Sequence, residues 1–353
     1  MPLKTLFDKY GVECIIPPRY SPHIISLAAQ YSPEWVCFPY KFLLGCMIQG
    51  LEQGADTVID IGGPGLCRLG YYAKLHEQTL RDMGYKFDMV VFNWQDGQIT
   101  GLARFLRKLL GNDKPWRRII GDIKLGLQQL MLMDDLERRV HRTRPREKEK
   151  GAASRLWRTA GDRISAAHTQ EALKTVKREL LTELAAVPLD PEARPLKVGL
   201  GGEWYVAVEP ACNLDLEEQM GNLGVEVVRS AFLTDWVKVW LFLELVGLSH
   251  GKKVKKAASP YLSREVSGDA IQSLGETVLH HKEGFDGIIH VEPFTCMPEI
   301  TARNILPKVV QDHHIPVLSL ILDEQTGRAG MLSRVEAFVD LMKRRRLIQR
   351  RRC

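Results

Sequence analysis

The chain has 353 residues, of which 45% are hydrophobic, and a formal net charge of +6. This length suits about two domains, and the composition excludes a disordered or fibrous protein. No apolar run reaches the ~20 residues of a membrane-spanning helix, and the N-terminus lacks the apolar core of a signal peptide. We therefore expect a cytoplasmic protein without a membrane partner.

Basic residues are concentrated at the C-terminus. The last eleven residues, KRRRLIQRRRC, contain seven basic side chains and no acidic one, so the rest of the chain is close to neutral. Such runs are usually solvated, and we interpret 343–353 as a basic tail that the core does not need. A second basic stretch, 138–158, is interpreted as a solvated helix face, so nucleic acid is not an expected partner.

Residues 1–111 alternate between short apolar runs and amphipathic stretches. The predicted strands are 12–16, 35–38, 57–61 and 87–94, and the predicted helices are 22–30, 41–52, 71–83 and 99–110. Strands that alternate with helices of this length are typical of βαβ units and a parallel sheet. We therefore expect a first α/β domain here.

At 112–195 the apolar residues recur only at helical spacing. We interpret this range as a helical insert followed by a proline-rich linker. Alternation returns at 196–342 and predicts a second α/β domain. Its predicted strands are 196–202, 225–230, 287–293 and 316–322, and its predicted helices are 214–224, 235–247, 266–281, 298–312 and 333–346. The fold class is therefore α/β, with two parallel-sheet domains and a helical insert between them.

The seven cysteines show neither a disulfide framework nor zinc-finger spacing. Cys37, Cys67 and Cys296 each follow a predicted strand and precede a helix, and binding sites of parallel sheets lie at such strand ends. If the two domains face each other, the three thiols converge and suit a soft metal centre such as an iron–sulfur cluster. The alternative is that each is a small buried hydrophobe. Cys46 is expected in the core, and Cys212 is the main competitor as a fourth ligand.

Five short motifs occur in an order that resembles the iron–sulfur family of 2-hydroxyacyl-CoA dehydratases, and in particular its activase-related branch. They are CFPYKFLLG (37–45), DIGGPGLCRLGYY (60–72), EPFTCMPE (292–299), the GEWYV segment within 202–229, and the DEQ loop with its R-x-E-A-F helix within 316–338. The resemblance implies two Rossmann-like domains that enclose a [4Fe–4S] cluster. It also implies that the cluster is held by Cys37, Cys67 and Cys296.

The resemblance further implies low-potential one-electron chemistry on an acyl-CoA, with the electron supplied by a separate ATP-dependent activase. We expect a homo- or hetero-oligomer. The C-F-P-x-K form of the first motif belongs to the activase-related branch and not to the classical dehydratase subunits, so dehydration itself stays open. The alternatives are a non-catalytic accessory subunit or electron relay, and a zinc site on the same thiolates.

Three further residues are candidates for catalysis. Lys41 lies one turn after Cys37, where it can offset cluster charge or hold a CoA phosphate, or simply snorkel at the surface. His290 and Glu292 lie two apart on a predicted strand and share one face, which suits proton transfer. Glu203 and Tyr205 place a carboxylate and a phenol either at the edge of a cleft or simply at the end of a strand, and Glu299 is expected to cap a helix.

Overall fold

The structure is a computed structural model. The residues that it describes are 2–16, 22–63, 67–93, 98–111, 115–238 and 250–352. Among them, no helix combines the length and the apolarity that crossing a bilayer requires.

The N-terminal part contains a parallel pair of strands surrounded by helices. Its elements are α1 (Pro2–Asp8), α2 (Pro22–Tyr31), α3 (Phe38–Glu52), β1 (Thr57–Gly62), α4 (Leu69–Asp82), β2 (Asp88–Asn93) and α5 (Gln98–Leu110). The register of the two strands pairs Thr57 with Asp88 and Gly62 with Asn93.

Two of the strands predicted here are wrong. Residues 12–16 are irregular, and 35–38 form a turn in which the Val36 amide donates to the Pro33 carbonyl, followed directly by α3. Both runs are short, and prolines stand at 17, 18, 33 and 39. Proline lacks the amide that a strand ladder needs, whereas near the first turn of a helix that loss has no cost.

A helical unit follows. It consists of α6 (Trp116–Thr143), α7 (Ala152–Ser165) and α8 (Gln170–Ala185), and between 115 and 195 the structure contains no extended strand. These helices share an apolar core that includes Leu136, Ile164 and Leu180, all fully buried. Their amphipathic spacing is what predicts them from the sequence.

The C-terminal part is built on a four-stranded parallel sheet in the order β4–β3–β5–β6. The strands are β3 (Leu196–Gly202), β4 (Val225–Arg229), β5 (Gly287–Pro293) and β6 (Val317–Leu322). The helices are α9 (Trp204–Val208), α10 (Leu216–Asn222), α11 (Leu233–Lys238), α12 (His250–Ala258), α13 (Ala270–Lys282), α14 (Met297–His313) and α15 (Arg328–Arg352). The predicted helix 235–247 lies partly outside the described residues.

The N-terminal and C-terminal parts share a core. Phe38 and Phe42 of α3 are buried in the same apolar cluster as Val198 of β3 and Val291 of β5. Helix α3, which follows Cys37, is therefore packed at the junction of the two parts.

The predicted boundary between core and tail at 343 has no counterpart in the backbone, since α15 continues to Arg352. Arg346 makes an ion pair with Asp286 and donates to the Arg194 carbonyl at 2.9 Å. At least this basic residue is therefore docked on the second α/β part.

Candidate functional site

Each of the three predicted cysteines stands at the start of a helix. Cys37 is the N-cap residue of α3, and Cys296 is the N-cap residue of α14. Cys67 precedes α4 by two residues, and the Leu69 amide donates to its sulfur. Helix N-termini carry partial positive charge and favour anions such as thiolates, so all three positions suit metal-bound sulfur.

Sheet topology explains two of these placements. Cys67 follows the carboxyl end of β1, and Cys296 follows the carboxyl end of β5, as the sequence predicts. Cys37 instead follows a turn after α2, and the packing of α3 against the C-terminal part holds it in position.

The pKa values of the three thiols are raised by burial and by neighbouring charges. Burial raises the pKa of Cys37 to about 12, a hydrogen bond with the Tyr72 hydroxyl lowers it, and the charges of Glu203 and Cys67 raise it further. Burial also raises the pKa of Cys296, and the charge of Cys37 adds to the effect. Cys67 responds to burial and to Glu203 in the same way. Glu203 therefore acts on all three thiols, and Cys37 interacts with each of the other two.

The thiols do not have the spacing of ligands to a single ion. Among the described residues, the only group of three potential ligand atoms within 4.8 Å of one another is Glu137, His141 and Glu217. Thiolates on one zinc ion lie ~4 Å apart, given a Zn–S bond of about 2.3 Å and tetrahedral geometry. The cysteine site is wider than that.

Two carboxyl groups meet at the start of α9, beside the thiols. The Val206 amide donates to Glu203 Oε2 at 2.8 Å, and the Trp204 amide donates to Asp269 Oδ2 at 3.1 Å. Burial, together with the charge of Asp269, raises the pKa of Glu203 to about 8. Burial and the charge of Glu299 raise the pKa of Asp269 to about 7. Near neutral pH, both carboxyl groups are therefore protonated in a large fraction of the molecules.

The backbone before Glu203 accepts only glycine. Gly202 has a φ of +120°, and a Cβ at this position would stand 2.0 Å from the Val291 carbonyl oxygen of β5. Glycine thus allows β3 and β5 to lie close together where they end. Glu203 and the loop containing Cys296 therefore both follow the carboxyl ends of neighbouring parallel strands.

Lys41 has a different role from a snorkelling surface lysine. It is 8% exposed, and its ammonium makes a 2.6 Å ion pair with Glu324, in the loop after β6. The pair joins the N-terminal and C-terminal parts one helical turn after Cys37. Its charge is engaged by Glu324 and not by the thiols.

His290 and Glu292 lie on β5 as predicted, but they have separate partners. His290 Nε2 is 2.6 Å from Glu299 Oε2, and its Nδ1 is 3.2 Å from the Ser319 hydroxyl. Glu292 accepts from Arg303 at 2.7 Å.

The sequence predicts that Glu299 caps α14, because it lies near the start of that helix. In the structure its carboxylate is directed to other partners. It is fully buried, it accepts from Ser273 at 2.8 Å as well as meeting His290, and its Oε1 has no hydrogen-bond partner in the structure. The turn of α14 nearest to Cys296 is thus attached to β5 and α13.

Sequence reasoning missed Tyr72 and Asp269. Tyr72 is one of two adjacent tyrosines in the second motif, and only the buried face of α4 distinguishes it from the 59% exposed Tyr71. Asp269 precedes α13 and has no sequence signal, because its proximity to Glu203 depends on how α13 packs beside β3.

The group formed by Glu137, His141 and Glu217 contains a cation of its own. Arg229 of β4 donates to Glu137 at 2.5 Å and to Glu217 at 2.9 Å. Burial lowers the pKa of His141 to about 3, and the charge of Arg229 contributes to the lowering. Because one guanidinium already pairs with both carboxylates, this is a structural ion-pair cluster.

No protein-family model matches this chain, and no curated protein sequence matches it significantly.

Proposed function

We propose that the chain is an iron–sulfur protein whose Cys37, Cys67 and Cys296 hold a [4Fe–4S] cluster between two Rossmann-like units. The observation that supports the proposal is that Cys37, Cys67 and Cys296 each stand at or next to the start of a helix, and that the charge of Glu203 acts on all three thiols. The five family-like motifs of the sequence supply the cysteines, the Gly202–Glu203 turn and the Glu324 loop that surround it.

The residues fit such a group. Without metal the three thiols are protonated, because the burial of Cys296 and the partial burial of Cys37 and Cys67 raise the pKa of each. A metal centre provides the positive charge that stabilises thiolates, and three helix dipoles add to this stabilisation. Thiolates on different irons are separated by the cluster itself, which agrees better with the wide spacing of the site than a single zinc ion does.

The fourth cysteine of this region argues for three protein ligands. Cys212 is 2% exposed inside the apolar core with Leu216 and Met220, and its pKa is raised by burial and by Glu209, Glu203 and Cys46. A three-cysteine set leaves one iron free for an exchangeable ligand. This favours low-potential one-electron chemistry on an acyl-CoA-type substrate over a simple electron relay.

The chain's own groups then have distinct roles. Glu203 and Asp269 hold protons beside the thiols and are positioned to release or accept one at their carboxyl oxygens. The Lys41–Glu324 pair holds the two parts together next to Cys37. His290 and Ser273, through Glu299, fix the first turn of α14 and with it Cys296.

Anaerobic reconstitution with iron and sulfide tests the proposal. We expect about four irons per chain and broad absorption near 400 nm. Cys37→Ser, Cys67→Ser and Cys296→Ser should each lose most of the iron, whereas the matched controls Cys212→Ser and Cys46→Ser should retain it. Colourless protein that takes up zinc instead would refute the cluster. Iron loss in Cys212→Ser would make the set four cysteines and shift the function to an accessory electron relay for an ATP-dependent activase.

A chemical test follows if the iron analysis succeeds. With a low-potential one-electron reductant, such as titanium(III) citrate, the reconstituted chain should convert members of a panel of 2-hydroxyacyl-CoA and enoyl-CoA thioesters. Full cluster loading without turnover of any thioester, and without a spectroscopic response to one, would indicate an accessory subunit.

A further inference from the structure

The outer face of the C-terminal half of α15 combines aliphatic and basic side chains. Leu341, Leu347 and Ile348 are 54%, 57% and 53% exposed. On a helix, residues three, four and seven apart lie on one face, so Leu341, Arg344 and Ile348 form a stripe with Leu347 beside it. The opposite face is anchored, since Phe338 and Met342 are buried in the core.

The charge of this segment has one sign. Residues 341–352 contain seven basic side chains and no acidic one, and the nearest acid, the exposed Asp340, lies one turn before Arg344. Such a density of positive charge beside exposed aliphatic side chains is costly to keep unless a partner of opposite charge also covers the apolar groups.

The basic residues on the anchored side of the helix are already engaged within the molecule. Arg346 and Gln349 lie four and seven residues after the buried Met342, and they line an open groove of about 520 Å³ together with Arg146 and Arg194. Arg346 is paired there with Asp286, and Arg146 is paired with Glu226. The groove therefore lies on the side of α15 that faces away from Leu341 and Ile348.

We propose that this face of α15 lies on anionic lipid membranes, with Leu341, Leu347 and Ile348 entering the headgroup–acyl boundary and the basic residues contacting lipid phosphates. An amphipathic basic helix that lies in the interface has this arrangement. A nucleic acid would satisfy the arginines but would leave the three aliphatic side chains without an apolar partner. The proposal is independent of the cysteine site and revises the sequence-based expectation that membranes are not partners, which considered only spanning segments.

Co-sedimentation of the full chain with vesicles tests this. The vesicles are phosphatidylcholine alone, or phosphatidylcholine with about a third phosphatidylserine. We expect binding to the anionic vesicles only, and loss of that binding at about 1 M salt, where charges are screened within a few ångströms. The double variants Leu347→Ser/Ile348→Ser and Lys343→Gln/Arg344→Gln should each weaken binding by about tenfold.

Matched controls distinguish binding through this face from nonspecific adsorption to the vesicles. Ile120→Ser removes a 61% exposed aliphatic side chain on α6, and Lys253→Gln/Lys256→Gln removes two charges on α12. Both should bind like the parent, and circular dichroism should show all variants folded. Equal binding to neutral vesicles, or equal loss in the controls, would overturn the proposal. So would tighter binding to duplex DNA that is insensitive to Leu347→Ser/Ile348→Ser.

Discussion

Two buried polar clusters of this protein differ in how their charges are balanced. Between α6 and β4, Glu137 and Glu217 surround Arg229, and every strong charge has a partner of opposite sign within hydrogen-bond distance. Near Cys37, Cys67 and Cys296, the cation Arg68 acts on Cys37 and Cys67, and burial favours the protonated forms of the thiols and of Glu203.

The contrast distinguishes a structural cluster from a candidate binding site. A buried ion pair is complete within the chain, and it holds the helical unit against the sheet. A buried set of acids and thiols without matching cations is complete only when protons or a positively charged centre occupy it. The two clusters therefore have different requirements, and variants that remove one group from each should behave differently.

The largest effect is expected for Arg229→Met. It leaves two buried carboxylates without the guanidinium that donates to both of them, so the free energy of unfolding should fall by about 3–5 kcal/mol. Urea denaturation measures this. The matched control is Arg163→Met, which also removes an arginine that bridges two glutamates, Glu179 and Glu183, but at the surface. Its cost should not exceed about 1 kcal/mol, and equal costs would contradict the structural role of Arg229.

Gly202→Ala should be the next most damaging change. The new methyl would collide with the Val291 carbonyl and force a positive φ on a residue with a side chain, so we expect a loss of roughly 2 kcal/mol or more together with loss of iron binding. Gly284→Ala is the control, because its φ of +74° carries the backbone strain but nothing lies within 4 Å of the added Cβ. If both variants lose the same stability, the close approach of β3 and β5 is not what constrains this position.

Lys41→Met tests the connection between the two parts. The ion pair with Glu324 is largely buried, and its removal should cost about 1–2 kcal/mol. Limited proteolysis should also become faster at the junction of the two parts. Lys74→Met, at an exposed position of α4, should change neither property. An unchanged proteolysis pattern in Lys41→Met would show that apolar packing alone holds the parts together.

A further contrast is a pair of opposite pH dependences in the metal-free protein. The folded pKa of Glu203 is raised from 4.5 to about 8, so its contribution to stability is complete below pH 4.5 and is lost as the pH rises through 8. The folded pKa of His141 is lowered from 6.5 to about 3, so stability is lost as the pH falls below 6.5.

Urea unfolding across this pH range checks both signs. Glu203→Gln should reduce the loss of stability between pH 5 and pH 9 and leave the acid side unchanged. His141→Gln should reduce the loss between pH 7 and pH 4 and leave the alkaline side unchanged. A Glu203→Gln variant with the parent's alkaline slope would show that this carboxyl is ionised in the metal-free fold.

Much of the secondary structure follows from local patterns. β3 and β5 coincide with their predicted ranges, 196–202 and 287–293, and α14 and β6 differ from prediction by one residue at their ends. These segments have an unambiguous period and turn residues at both ends. The strand prediction at 35–38 was wrong because a run of four apolar residues is too short to show a hydrophobic period. The neighbouring prolines favoured a turn and a helix start instead.

The sequence by itself determined that Cys37, Cys67 and Cys296 precede helices and that residues 116–185 are helical, because capping, proline placement and hydrophobic period act over a few residues. Only the tertiary structure decided that Lys41 pairs with Glu324, that Asp269 stands beside Glu203, that Tyr72 contacts Cys37 and that Glu299 turns inward to His290. These pairs are separated by 9 to 283 positions along the chain. Their contacts depend on strand register and helix packing, which arise only when the whole core assembles.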